Sequence, residues 1–332
     1  MKTVSIIATL TGVAFGTWSA WKAFAQGWAL PRSAAPAALE RSNPGCRLDL
    51  KGEASGMSQP AAFDSWYANQ SDAWLAPFVI PSRRIVFCDV QKAGSSRWLR
   101  LLRWLAGSPD WDGNPHFLDS EGHPGGLRRL EHLPREEAVQ IMRDPKWTKI
   151  AVVRDPLDRL RSAYLDRVVG ATEPNEIFEK RLFAHYQSLA SMSFSDFLAR
   201  VELGMHFLEN EDVHWQRQSR RCDLGKFLPL YHHVFIIPPD KSARAEVSDC
   251  VLEALAKTAP NPAEVRNFSM TSRASESLVA HRTDAESHST YDEELCLKAR
   301  QLYAEDYEVF QMQRPTCLAT SPHVTWPSLP SL

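Results

Sequence analysis

The sequence predicts an α/β protein in which a central parallel sheet is covered by helices on both faces. Three observations carry that expectation. Short β-rich runs alternate with amphipathic helical segments between about Ile80 and Gln313, which is the pattern of strand–helix–strand units. Two of the strand-to-helix turns are basic and polar, as at the ligand-facing edge of such sheets. With 44% hydrophobic residues, eleven Trp and fifteen Phe in 332 residues, the chain can build one large core and does not read as disordered.

The elements follow in order. "RIVFCDV" (84–90) is a short strand. "SSRWLRLLRWLAG" (95–107) is a helix, with Trp98, Leu101, Leu102 and Leu105 at helical spacing and Gly107 as its stop. "KIAVV" (149–153) is a second buried strand. The helix at 155–169 starts from Asp155 as N-cap with Pro156 in its first position. Leu157, Leu160, Tyr164 and Val168 form its apolar stripe. "HVFII" (233–237) is a third strand, followed by a helix at 242–257, and 291–310 reads as one long C-terminal helix.

Flanking this body, domain 81–313, are segments of different character. Between Val4 and Phe24 the polar residues are Ser, Thr and Lys22, so residues 1–25 fit a membrane-spanning signal-anchor of roughly 20 residues. The rival is a cleaved signal peptide, with Lys2 as a positive n-region and an A-x-A-like site ending at Ala25. Either reading sends the chain into the secretory pathway. Residues 26–80 are rich in Pro, Ala, Ser and Gly over their first part and read as a stem, while 314–332 read as an irregular tail. Sequons at Asn69 and Asn267 are compatible with a lumenal glycoprotein. The six cysteines (46, 88, 222, 250, 296, 317) include no C-x-x-C pair, which argues against a cysteine zinc site. An oxidising lumen would permit disulfides, but their connectivity is not readable; Cys88, inside an apolar run, reads as a buried thiol, and Cys222 is a disulfide candidate.

Formal net charge is −2 and the pI about 6.6, so bulk charge offers no argument for nucleic acid. Any anion site must be a local concentration of cations. The turn Lys92-Ala93-Gly94-Ser95-Ser96-Arg97 is one candidate. It aims backbone N–H groups and the positive end of a helix at one spot, Gly94 allows close approach, the serines add donors and Lys92 adds a charge. An ordinary capped turn would look similar. The second turn, "VVRDPLDRLRSAY", puts Arg154 at a strand's carboxyl end and Ser162 two helical turns later. Arg154 can grip a phosphate bidentately, or it can form a structural ion pair with Asp155 or Asp158. No Walker G-x-x-x-x-G-K-[ST] pattern exists, which disfavours a P-loop kinase or NTPase.

Taken together, "QKAGSSRWLRLL" and "AVVRDPLDRLRSAYLDRV" resemble the two donor-binding segments of the membrane-bound carbohydrate sulfotransferases (sulfotransferase family 2, including the chondroitin and dermatan 4-O-sulfotransferases). The family's R-[DE]-P-x-x-R-x-x-S-A-Y segment is matched throughout, by Arg154, Asp155, Pro156, Arg159, Ser162, Ala163 and Tyr164. "VHWQRQSRRCDL" is similar to its H-W-x-x-Q-x-x-x-C stretch, and "LYAEDYEVF" to its L-Y-x-x-D-[FY]-x-x-F ending. Gln91 replaces the usual proline, and Ser95 stands where cysteine is common. The likeness covers roughly residues 84–311.

The resemblance implies a P-loop NTPase-like sulfotransferase fold and the donor 3′-phosphoadenosine 5′-phosphosulfate (PAPS), with no metal. Lys92, Ala93, Gly94, Ser95, Ser96 and Arg97 would hold the 5′-phosphosulfate, Lys92 acting as the catalytic cation. Arg154 and Ser162 would hold the 3′-phosphate. The acceptor implied is a carbohydrate hydroxyl, and the setting a Golgi membrane with a lumenal catalytic domain. A base is needed near the sulfuryl group. The family's histidine precedes an L-x-x-L stretch, matched by Leu127 and Leu130, which singles out His123; His116, His132 and Glu121 remain alternatives. His214-Trp215 reads either as an acceptor-site wall or as packing, and Asp306 and Tyr307 as structural. Two rival functions stay open: transfer to a non-carbohydrate hydroxyl, and a lumenal binding protein that keeps the fold without catalysis.

Overall fold

A computed structural model describes residues 76–169, 192–207, 212–258, 261–263, 265, 268 and 290–317. Its centre is a four-stranded sheet in the order β1 (Phe78–Ile80), β2 (Ile85–Cys88), β3 (Thr148–Arg154), β4 (His233–Ile237). β2, β3 and β4 are parallel, with Phe87 opposite Ile150 and Ala151 opposite Val234. β1 pairs antiparallel with β2, Val79 opposite Val86. The sheet is therefore mostly parallel, and its antiparallel edge strand falls in the last three residues of the segment expected to be stem.

Side chains alternate across a strand, and here the alternation separates two cores. Ile85, Phe87, Ile150, Val152 and Phe235 pack on one face against α1 (Ser95–Leu105) and the later helix Lys241–Ala256. Val86, Cys88, Ala151, Val153 and Val234 pack on the other against α2 (Arg135–Arg143), Phe227 and Tyr231. Both faces are thus buried, which is why these strands read as unbroken apolar runs. α2, carrying Ala138, Ile141 and Met142 on one stripe, was not anticipated from the sequence.

A third cluster lies around α3 (Pro156–Tyr164), α4 (Phe194–Phe207), α7 (Glu293–Leu302) and α8 (Ala304–Val309); α5 (Leu224–Phe227) and α6 (Lys241–Ala256) are the other α-helices among the described residues, beside α1 and α2. Two expected helices are corrected here. The 155–169 helix is α-helical only to Tyr164, then widens into a π turn over Leu165–Val169. The 291–310 helix breaks at Tyr303 (φ −102°, ψ 19°). That break lets Tyr303 donate its hydroxyl to the Trp215 carbonyl, while α8 turns Asp306 and Tyr307 inward.

The cysteines also correct an expectation. Cys88 is not a lone buried thiol but is bridged to Cys222, and Cys296 is bridged to Cys317. The first bridge ties the carboxyl end of β2 to the segment Gln218–Asp223. Among the described residues no helix is long and apolar enough to cross a membrane. The signal-anchor or signal peptide at 1–25, the cleavage site at Ala25 and both sequons lie outside the described residues.

Candidate active site

β2 ends at Cys88 and the chain must turn sharply into α1. Two residues take left-handed backbone conformations to do so, Lys92 (φ 66°) and Gly94 (φ 81°). Gly94 is the N-cap of α1. A Cβ there would stand 3.1 Å from Trp98 Nε1, which itself donates to the Ala93 carbonyl at 2.9 Å. The indole therefore clamps the loop, and a side chain at position 94 would press on it. Ser95, Ser96 and Arg97 form the first turn of α1, which contains no acidic residue. Such a helix start, with its N–H groups pointing outward, suits an anion.

The second turn closes on the first. Arg154 Nη1 donates to the Lys92 carbonyl at 2.9 Å, and Arg159 Nε donates to the Gln91 carbonyl at 2.8 Å. Arg159 is fully buried and also donates to the carbonyls of Gln216 (2.7 Å) and Val213 (2.9 Å). One guanidinium thus fastens the first loop, α3 and the 213–216 segment together. Arg154 pairs through Nε with Asp158 (2.6 Å), not with Asp155. Asp155 instead caps α3, accepting from Leu157 N and Asp158 N, and takes the Tyr307 hydroxyl at 3.1 Å. Burial raises the Asp155 carboxyl to about 7, against the pull of those hydrogen bonds.

Asp158 also receives Arg244 of α6 at 3.2 Å, and Arg97 Nη1 donates to Ser248 of the same helix at 2.9 Å. Arg154, Arg97 and Arg244 are therefore gathered by one helix and one carboxylate, an arrangement sequence spacing does not show. Ser162 is half-buried on α3. It follows Asp158, the carboxylate that Arg154 meets, by four residues of the same helix.

Lys92 itself is held. Its Nζ lies 3.0 Å from Asp166 Oδ2, and the side chain is 15% exposed. Burial lowers its pKa, with the Arg167 and Arg154 charges acting in the same direction and Asp166 opposing them. Burial works to raise the Asp166 carboxyl, but Lys92 and Arg167 outweigh it and hold it down at about 2. Asp166 is not singled out by the sequence, because its partner Lys92 lies far from it along the chain.

The histidines separate. His116 Nε2 lies 2.7 Å from the Ser96 hydroxyl, so it is the histidine joined to the first turn. His123 is oriented by Asp119, whose Oδ2 lies 3.3 Å from Nδ1 and whose Oδ1 accepts its backbone N–H at 2.8 Å. Its ring stacks near that of His132, centroids 4.6 Å apart. Glu121 lies 3.4 Å from His123 Nδ1. The remaining motif residues are framework. Gln218 bonds both backbone groups of Arg154 (2.9 and 2.7 Å), and Asp306 accepts from Gln218 N and Ser219 N at 2.9 Å.

Among the described residues no group of three or more His, Cys, Asp or Glu side chains is arranged to hold a metal ion. The two turns bring together cations and donors: Lys92, Arg97, Arg154 and Arg244 near a helix start, with Ser95 and Ser96 in its first turn and His116 bonded to Ser96. These are groups that suit a donor with two separate anionic ends.

Comparison with known proteins agrees in extent with this region. The profile described as "Sulfotransferase family" matches residues 77–313. Mouse "Carbohydrate sulfotransferase 8" is 31% identical over 159 residues, 44% of this chain and 36% of that protein. Human "Carbohydrate sulfotransferase 9" is 28% identical over 162 residues, 44% of this chain and 34% of that protein. Zebrafish (Danio rerio) "Carbohydrate sulfotransferase 10" is 32% identical over 163 residues, 44% of each chain. The matched stretch thus spans between about a third and a half of these relatives' lengths. No solved structure matches the chain.

Proposed function

The chain belongs to the sulfotransferase family, and from that premise we propose that it transfers a sulfuryl group from PAPS to a carbohydrate hydroxyl. The observation that carries this reading is the closure of the two basic turns on each other, with Arg154 bonded to the Lys92 carbonyl across 62 residues of sequence. Lys92, Ala93, Gly94, Ser95, Ser96 and Arg97 hold the 5′-phosphosulfate, and Arg154 and Ser162 the 3′-phosphate. The acceptor oxygen bonds to sulfur as the bond from sulfur to the bridging oxygen breaks. The departing 3′-phosphoadenosine 5′-phosphate keeps that electron pair, and Lys92 neutralises the charge on it. The acceptor proton passes to His123, whose Nδ1 faces Asp119, an orientation that leaves Nε2 for the acceptor. His116, bonded to Ser96, steadies the donor loop. A carbohydrate acceptor is supported by the names of the relatives.

We place the catalytic domain, 81–313, in the Golgi lumen, anchored by residues 1–25 through a stem at 26–80. Two disulfides among the described residues favour an oxidising compartment.

Calorimetric titration tests the donor site first. The protein is titrated without Mg²⁺ against 3′-phosphoadenosine 5′-phosphate, with ADP as control. Metal-independent binding that prefers the 3′-phosphorylated nucleotide is expected, and sugar acceptors are then screened for sulfuryl transfer. No binding by folded protein would favour a fold kept without catalysis. In turnover assays His123→Ala lowers kcat with little change in donor affinity, whereas His116→Ala raises the donor KM. The reverse pattern would exchange their roles.

A further inference from the structure

We infer that Asp166 is a positioning residue for Lys92, and that Arg167, His214 and Asp212 hold it in that role as one connected chain. The inference rests on the reading of Lys92 as the ammonium that meets the donor's bridging oxygen. Asp166 Oδ2 lies 3.0 Å from Lys92 Nζ and 3.2 Å from Arg167 Nε, so the carboxylate sits between two cations. Arg167 Nη2 lies 3.0 Å from His214 Nε2, and His214 Nδ1 lies 2.7 Å from Asp212 Oδ1. One protonation state satisfies both contacts of the ring. With its proton on Nδ1, the imidazole donates to Asp212 and accepts from Arg167 at Nε2; an imidazolium would turn an N–H against the guanidinium. Burial pushes the His214 pKa down to about 4, Asp212 opposing and Arg167 reinforcing, which keeps the ring neutral.

The local backbone supports this use. Asp166 and Arg167 sit in the π turn that follows α3, and such turns re-aim side chains relative to the α-helical register. Charge decides the rest. Lys92 faces Asp166 and Arg167 from the π turn and Arg154 from the end of β3, with His214 of the 212–217 segment behind. Without Asp166 the ammonium would face two guanidiniums and no carboxylate, in a largely buried position. It would lose its proton more readily or swing out of the site. His214, the first residue of the H-W stretch, thus does more than pack.

The test follows Lys92 directly in the full-length protein. Competitive acetylation of Lys92, read by mass spectrometry across pH, gives its titration midpoint without donor or acceptor. In Asp166→Asn the midpoint is expected to fall by about one pH unit or more, and in Asp166→Glu to return to within a few tenths of wild type. In His214→Asn a smaller fall is expected. In sulfuryl transfer Asp166→Asn lowers kcat about tenfold or more with donor KM within about threefold, and Asp166→Glu recovers part of the rate. An unchanged midpoint in folded Asp166→Asn overturns the inference, as does a shifted midpoint with kcat unchanged. If Asp166→Asn does not fold, His214→Asn decides, and an unchanged midpoint with unchanged kcat there overturns it. A shifted midpoint in a protein that transfers no sulfuryl group upholds the coupling and counts against the sulfotransferase reading alone.

Discussion

Lys92 and Arg154 each combine a side-chain role with a backbone role, Arg154 through the pairing of its N–H and C=O with Gln218, whereas Gly94 acts through its backbone alone. Lys92 and Gly94 both adopt left-handed conformations, and Arg154 binds a backbone carbonyl as well as Asp158. We predict that Lys92→Ala lowers sulfuryl transfer by on the order of 10²-fold or more, the scale for removing a donor aimed at developing charge. Arg154→Ala, which loses the 3′-phosphate cation and the bond to the Lys92 carbonyl, should lower it by on the order of 10²-fold as well, because a misplaced donor costs about that much. Circular dichroism should show the fold retained, and near-wild-type rates in either folded variant would remove that residue from the mechanism. Gly94→Ala should cost roughly 1–2 kcal/mol, because a side chain at positive φ is strained. Its Cβ would also press on Trp98 Nε1 at 3.1 Å. Urea unfolding of this variant measures the cost. Lys92 and Arg154 were legible in the sequence because each stands where a strand run stops and a helix pattern starts. Asp166 was not, because what defines it is a partner 74 positions earlier in the chain that only folding brings within 3.0 Å.

Among the elements, the segment 212–223 holds the site from behind. It carries Asp212 and His214, the Gln218 pairing with Arg154, and Cys222 bridged to the end of β2. Replacing both Cys88 and Cys222 by serine should cost about 2–5 kcal/mol. Weakened nucleotide binding should accompany this, since the bridge anchors the strand that feeds the donor loop. Thermal unfolding and calorimetry check both effects.

The same segment predicts an acid limb in stability. His214 titrates at about 4 in the folded protein because burial disfavours the imidazolium, Arg167 and Lys92 adding to this and Asp212 opposing. Unfolded, it titrates near its ordinary value of about 6.5. Between those values the unfolded chain binds more protons, so this stabilisation is present above about pH 6.5 and is lost as pH falls towards 4. His214→Asn should flatten that limb in urea titrations from about pH 7 to 4; an unaltered limb would assign it to other groups. The break at Tyr303 is an element-scale feature that periodicity could not show. Apolar residues continue in register across it, and the reason to stop is the Trp215 carbonyl on a distant segment.

For the whole molecule, the parallel strands β2 and β3 lie side by side, so their carboxyl ends deliver two turns to one edge of the sheet. A ligand that spans both turns should stabilise the entire domain. At about 100 times its Kd, 3′-phosphoadenosine 5′-phosphate should add about 2.7 kcal/mol. For a domain of this size that raises Tm by several degrees, while ADP at equal concentration should raise it less. Equal shifts with both nucleotides would show that the 3′-phosphate is not read.

By itself the sequence determined the alternation of strands and helices, the buried character of the strands, the two basic turns and, through its motifs, the family. These are local properties: period-2 and period-3.6 patterns, capping residues and short spacings survive in one dimension. The tertiary structure alone decided the antiparallel edge strand, the Cys88–Cys222 bridge, the service of Asp158 to both Arg154 and Arg244, and the chain from Asp212 to Lys92. Apart from the Arg154–Asp158 pair, four residues apart, and the local steps Asp212–His214 and Asp166–Arg167, each is a contact between residues whose separation in sequence carries no period. Their energies depend on burial and charge that exist only once the sheet has brought its turns together.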